Sequence, residues 1–184
     1  MGNAFDKSNK QKESEVSESE KWEMTINKSF TGTTRVDLGF TGYKGGMGDD
    51  GAFVVARNLA DCKNEVTSLD LYRHDIGVRG ANVLCEAIGS NTCLVKINLN
   101  HNKFGDDGAI ALANALKFNS SIEEIHLDEN SIGDAGVIAL AAVLSTHRSL
   151  KKVYLTENLF GVEGKRALEE AKASNDKLSA NFYF

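Results

Sequence analysis

Four glycines recur at a fixed interval of 28 residues, and apolar and polar positions recur with them. The glycines are Gly80, Gly108, Gly136 and Gly164. A leucine stands nine residues, and an asparagine six residues, before each of the last three. A fixed period of this length is typical of proteins built from stacked structural repeats, in which each unit buries its apolar face against its neighbours. This period constrains the fold more than any other feature of the chain.

Each repeat contains a short strand pattern followed by a helical pattern. The predicted strands are 35–38, 68–71, 96–99, 124–127 and 152–155, in which apolar and polar residues alternate. Ala109, Leu112, Ala113 and Leu116 lie on one stripe of a predicted helix. Asp106 and Asp134 stand at the start of such helices, where we expect them to cap free N–H groups. Helices are predicted to end near Asn91, Asn119 and residues 145–147.

The frame Leu-x-x-Leu-x-Leu-x-x-Asn occupies residues 94–102, with Ile97 in the second leucine position. Together with the tetrad at 105–108 and the alanine-rich helix, it resembles the ribonuclease-inhibitor-like class of leucine-rich repeats over roughly residues 33–178. The resemblance implies an α/β right-handed solenoid of about five repeats, with parallel strands on the concave face and helices on the convex face. It also implies a structural ladder of asparagines at Asn102, Asn130 and Asn158. His74 occupies the same slot one unit earlier, so the ladder is expected to be broken or modified there.

The chain divides into a polar tail, 1–20, and a repeat domain, 21–184. The tail has too few apolar residues to fold. Caps are predicted at about 21–32 and 176–184, since the ends of a stack need covering. Trp22, Met24 and Ile26 alternate with polar residues, which predicts a strand in the first cap. The first unit is longer than the others and has a glycine-rich loop at 42–48.

The start of the chain resembles an N-myristoylation signal at Gly2, with Asp6 where Ser or Thr is preferred. A single myristoyl chain binds membranes weakly, so we expect at most peripheral association. Ser17 has an acid three residues on and is a predicted phosphorylation site. The alternative is a plain solubilising tail. No apolar run is long enough to span a membrane and no secretory signal is present, so a reduced cytoplasmic protein is predicted.

Residues between the inward leucines are expected to face outward from the strands. Aromatic and arginine side chains dominate contact energies, so this face is the predicted partner site. The candidates are Tyr72, Arg73, Asn98, Asn100, His101, His126, Asp128, Tyr154 and Glu157, together with Tyr43 and Lys44 in the glycine-rich loop. The alternative is that these are solvated surface residues. A net charge of -5 gives no reason to expect a nucleic-acid partner.

Signals for catalysis are weak. His101, His126 and Asp128 lie on adjacent predicted strands, but no metal-ligand spacing accompanies them. Residues 46–51 match Gly-x-Gly-x-x-Gly, yet the repeat already explains these glycines, because 48–51 and 105–108 share the tetrad Gly-Asp-Asp-Gly. We therefore predict a non-enzymatic protein without cofactor or metal.

The predicted function is a monomeric adaptor that binds an unidentified protein. Two alternatives stay open. The residues 181–184 and the five-unit length resemble the repeat domain of tropomodulins, which implies cytoskeletal capping. The repeat class also resembles regulators of small GTPases of the Ran type, which implies control of an enzyme by the chain.

Overall fold

The computed structural model describes residues 16–39, 46–60, 65–178 and 182–184. Strands and helices alternate along the chain after a first helix. The order is α1 (Glu18–Ser29), β1 (Arg35–Asp37), α2 (Gly48–Ala60), β2 (Ser68–Asp70), α3 (Val78–Ser90), β3 (Lys96–Asn98), α4 (Gly105–Leu116), β4 (Glu124–His126), α5 (Asp134–Leu144), β5 (Lys152–Tyr154), α6 (Val162–Ser174) and β6 (Phe182–Tyr183). The strands form one parallel sheet in the order of the sequence. The predicted α/β solenoid is confirmed.

A single continuous core runs between the sheet and the helices. The middle residue of each of the first five strands is buried, namely Val36, Leu69, Ile97, Ile125 and Val153. The predicted helical stripe of Ala109, Leu112, Ala113 and Leu116 packs from the other side and is also buried. Strand pairs stay in register, with Ile97 opposite Leu69 and Ile125. Because each unit covers the next, the leucines at matching offsets share one elongated interior.

The segment before the first repeat is a helix, so the strand predicted from Trp22, Met24 and Ile26 is wrong. Trp22, Ile26 and Phe30 lie four residues apart and are buried, whereas Met24 is 68% exposed. The helix begins at a capping box in which Ser17 and Glu20 bond each other's backbone N–H. This capping signal and the four-residue spacing of the buried apolar residues favour a helix over a strand.

The asparagines of the predicted ladder bond the backbone turns of adjacent units. Asn102 Nδ2 donates to the carbonyl oxygens of Leu71 and Leu99, both at 2.9 Å. Its Oδ1 accepts from the N–H groups of His74 and Ile76 at 3.2 and 3.0 Å. Asn158 repeats this pattern two repeats along the chain. Between them, Asn130 Nδ2 donates to the Leu99 carbonyl at 2.8 Å. The ladder therefore ties each turn to the preceding one.

A second ladder, which the sequence analysis missed, follows the opposite edge of the stack. It consists of Asn91, Asn119, His147 and Asn175, all buried and 28 residues apart. Asn119 Nδ2 donates to the carbonyls of Ile88 and Asn91 at 2.8 and 2.9 Å. Its Oδ1 accepts from Ser121 and Ile122 at 2.9 Å. These side chains satisfy the backbone where each helix turns into the next strand.

The aspartates at the helix starts bond the following unit rather than their own helix, which corrects the predicted capping role. Asp106 Oδ1 accepts from the N–H groups of Gly133 and Gly136, at 2.7 and 3.0 Å, at the start of α5. Asp134 does the same for Gly161 and Gly164 of α6.

Val78, at the start of α3, occupies the position that Asp106 and Asp134 occupy in later units. Without an aspartate in α3 to bond it, Gly105 at the start of α4 adopts a positive φ of +58° and donates to the carbonyl of Asn130 at 3.0 Å. Gly133 before α5 is bonded by Asp106 and has φ −94°. The presence of an aspartate in one unit is thus associated with the loop geometry of the next.

Candidate protein-binding face

The outer surface of the sheet is the concave face, and the backbone holds its side chains at fixed positions. The residue that opens the turn after each of strands β2 to β5 has a positive φ between 53° and 61°; these residues are Arg73, His101, Glu129 and Glu157. The N–H of His101 donates to the carbonyl of Asp128 at 2.9 Å, and Arg73 and Glu129 make the equivalent bond one unit on. Residues other than glycine rarely adopt this conformation, so the stack imposes it.

Aromatic rings stack along the C-terminal half of this face. The rings of His126 and Tyr154 lie 4.3 Å apart at an interplanar angle of 19°. Those of Tyr154 and Tyr183 lie 4.8 Å apart and are nearly parallel, at 4°. Tyr72 and His101 form a second, edge-on pair at 4.8 Å. The predicted candidates Tyr72, His101, His126 and Tyr154 thus form two ring clusters, and Tyr183 was missed.

Glu124 is the electrostatic centre of the face. Its Oε1 accepts from Lys96 Nζ at 2.5 Å and from His126 Nε2 at 2.7 Å, and its Oε2 lies 3.2 Å from Lys152 Nζ. Burial alone would raise the pKa of this carboxyl, but the hydrogen bonds from Lys96, His126 and Lys152 outweigh it and lower the pKa to about 2. Glu124 therefore stays charged, and the network holds the His126 ring against Tyr154.

The polar candidates bond one another across strands. Asn98 Nδ2 donates to Asp70 at 3.1 Å, and Asn100 Nδ2 donates to Asp128 at 2.9 Å. Asp128 also accepts from the N–H and the hydroxyl of Thr156, both at 2.8 Å. These residues are held by hydrogen bonds in a polar surface beside the ring clusters.

His101, His126 and Asp128 do not converge on a common point. His101 Nδ1 pairs with Glu129 at 3.0 Å, whereas His126 pairs with Glu124. Among the described residues, no group of three His, Cys, Asp or Glu side chains is placed to hold a metal ion. The buried Cys85 has a pKa raised by burial to about 12, so its thiol stays protonated.

Several predicted sites lie at or beyond the ends of the described segments. Gly2, Tyr43 and Lys44 lie outside the described residues. Ser17 is exposed, and its hydroxyl donates to Glu20 at 2.8 Å in the capping box of α1. Glu157, which lies inside a described segment, is exposed three residues after Tyr154. None of the described helices has both the length and the apolar character to span a membrane.

Comparison with known families and structures agrees with this architecture. A sequence model of the Leucine Rich repeat family matches residues 90–113 and 118–141. The two matched segments are leucine-rich repeats, and the five strand–turn–helix units on one parallel sheet have the solenoid architecture of such repeats. A comparison with curated proteins found no significant match.

Two solved structures share the fold. The tropomodulin C-terminal domain of Caenorhabditis elegans is 16% identical with a TM-score of 0.66, covering 88% of this chain and 95% of that one. The actin-binding site 2 of leiomodin-1 is also 16% identical with a TM-score of 0.64, covering 89% and 92%. Similarity at this level of identity concerns the fold of the repeat domain.

Proposed function

We propose that this protein is a non-catalytic interaction module that binds a protein partner through its concave face. The observation that supports this most is the pair of ring clusters, Tyr72–His101 and His126–Tyr154–Tyr183, on a rigid parallel sheet. Tyrosine supplies a large contact area at low entropic cost, and such residues are common at the energetic centres of interfaces. The rings are already ordered by stacking, so little freedom is lost when a partner binds.

The charged residues around the rings suit a polar rim. Lys96 and Lys152 both pair with the carboxylate of Glu124 in one network, and His101 contacts Glu129. Paired charges of this kind set orientation and association rate more than affinity. We expect the rings to supply most of the binding free energy.

The test is affinity capture with two variants of the whole chain. The first changes Tyr72, His101, His126 and Tyr154 to alanine. The matched control changes four exposed residues of the helical face to alanine: Glu86, Lys117, Arg166 and Glu169. We expect partners bound by the native chain to be lost from the first variant and kept by the control. Equal retention by both variants, at equal thermal stability, would reject the concave face as the binding surface.

Actin is a second candidate partner, favoured by the fold shared with the leiomodin-1 actin-binding site and the tropomodulin domain. Sedimentation with filaments and filament-end elongation assays test it directly. Loss of actin binding in the four-residue concave variant would show that actin binds through the proposed concave face. Absence of any effect at micromolar protein rejects actin and leaves the interaction module to be tested by capture.

Membrane attachment through Gly2 is a separate proposal that rests on the sequence. Gly2→Ala should shift the protein from the membrane fraction to the supernatant if the glycine is acylated. An unchanged distribution rejects the anchor. A small-GTPase regulator, the remaining alternative, predicts a change in GTP hydrolysis when the chain is added, and no change would exclude it.

A further inference from the structure

Two imidazoles stand in ladder positions that are otherwise filled by asparagine. In the first ladder His74 stands one repeat before Asn102, the first of its three asparagines. His147 stands between Asn119 and Asn175 in the second. Both are buried, at 2% and 8% exposure. An imidazole can copy an asparagine only in its neutral form, because one ring nitrogen must donate and the other must accept.

At His74 both nitrogens bond the first repeat. The Nε2 atom lies 2.6 Å from the carbonyl oxygen of Leu38, and the Nδ1 atom accepts from the N–H of Met47 at 3.4 Å. A carbonyl only accepts and an N–H only donates, so the tautomer carries its proton on Nε2. A second proton on Nδ1 would replace the Met47 bond with two donors facing each other.

The surroundings of His74 leave little room for a rearranged ring. The backbone at Gly46 comes so close that a Cβ there would lie 2.2 Å from the His74 carbonyl. Trp22, on α1, packs edge-on against the imidazole with ring centroids 5.3 Å apart. Burial lowers the pKa of His74 because it disfavours the charged imidazolium. The Leu38 carbonyl and the carboxylates of Asp70 and Asp75 favour the protonated ring, but burial outweighs them.

The ring of His147 makes a different set of hydrogen bonds. Its Nε2 bonds the carbonyl of Asn119 in the preceding unit at 3.0 Å, but its Nδ1 accepts from Leu150 of its own unit at 3.2 Å. Burial lowers the pKa of His147 as well, against backbone carbonyls at Asn119 and Leu116 that favour the proton. Protonation there breaks a local turn and keeps the bond to the preceding unit. Only His74 places both nitrogens on the neighbouring repeat.

We propose that His74 is an acid-sensitive latch that joins the N-terminal segment, α1 to α2, to the rest of the stack and loosens when its ring is protonated. In the unfolded chain a histidine takes up its proton near pH 6.5. The pKa of His74 in the folded state is lower than this unfolded-state value. The latch is therefore fully closed above pH 6.5, and it weakens as the pH falls from 6.5 through the folded-state pKa. One proton taken up on opening raises the opening constant about tenfold per pH unit across this window.

The position of Trp22, the only tryptophan of the chain, gives a direct readout. A protonated imidazole quenches a neighbouring indole, and loosening exposes the indole to water. Tryptophan emission of the full chain is therefore followed from pH 7.5 to pH 5 in the native protein, His74→Asn and His147→Asn. We expect an acid-dependent change in the native protein and in His147→Asn, and a flat response in His74→Asn.

Hydrogen exchange locates the opening. After correction for the intrinsic pH dependence of exchange, protection of α2 and β1 should fall about tenfold per pH unit below pH 6.5, while protection of α4 and β4 changes less. In His74→Asn this difference between the two regions should disappear. A native protein with unchanged emission, or a His74→Asn variant that keeps the acid response, overturns the proposal.

A direct titration decides the matter if His74→Asn does not fold. The imidazole carbon-bound protons of the native protein are followed by NMR over the same pH range. A midpoint for His74 below 6.5 that coincides with the change in Trp22 emission supports the latch. A midpoint at or above 6.5 overturns it. These measurements need no partner, so their outcome is separate from that of the proposed concave-face function.

Discussion

The bond from Asp106 to the next repeat gives a prediction whose magnitude follows from geometry. In Asp106→Ala, the N–H groups of Gly133 and Gly136 lose an ionised acceptor at 2.7 and 3.0 Å at the N-terminus of α5. Loss of a helix cap costs about 0.5–2 kcal/mol. Two donors are orphaned, so we expect a loss of about 1.5 kcal/mol in the free energy of unfolding. For a chain of this length this lowers the Tm by about 4 °C.

The neighbouring Asp107 is the matched control. It occupies the same first turn of α4 but is exposed, and Asp107→Ala changes helix propensity and the charge near the α4 terminus in a similar way. Urea unfolding at pH 7 followed by circular dichroism measures both variants. Asp106→Ala should lose at least 1 kcal/mol more than Asp107→Ala, as expected for two orphaned donors. Equal stability of the two variants would refute the account of capping between repeats.

Three further predictions concern the ladder, a turn and the charge network. Asn130→Ala removes the donor to the buried Leu99 carbonyl and should cost about 1–3 kcal/mol in urea unfolding; a loss below 0.5 kcal/mol would contradict the ladder's role. Gly105→Ala, at φ +58° with open space around the missing Cβ, should cost about 1 kcal/mol through backbone strain alone, and Gly105→Asn should cost less. The carboxyl of Glu124 has its pKa lowered to about 2, so it stabilises the fold fully above pH 4.5 and loses this contribution as the pH falls towards 2. Curves of unfolding free energy against pH should therefore be flatter for Glu124→Gln than for the native protein in that interval. Parallel curves for the two proteins would contradict the network.

The repeat period was enough to predict most of the fold, because each inward leucine has the same environment in every unit. The strands, the helical stripe at 109–116 and the outward columns followed from that one regularity. The helix at Glu18–Ser29 did not, since it lies outside the repeat and its apolar residues fit both a period of two and a spacing of four. The Ser17–Glu20 capping pattern was the signal that decides between them.

The parts of the surface that were missed depend on contacts between units. Tyr183 lies 29 rather than 28 residues after Tyr154, and the register Tyr154–Tyr183 in the sheet reveals the stack. The second ladder was visible as Asn91, Asn119, His147 and Asn175 at the repeat spacing. The first three were interpreted only as helix ends, and Asn175 was not singled out. The aspartates were placed correctly at helix starts, but their bonds to the following helix form only when the units are stacked in three dimensions.

Site-specific photo-crosslinking tests the proposed binding face most directly. A photoreactive phenylalanine analogue is placed at Tyr154, within the ring stack, or at Phe118, which is 82% exposed after α4 on the helical side. The account predicts a covalent adduct with a protein partner from position 154 and none from position 118. Adducts formed only from position 118 would contradict it and place the working surface on the helices.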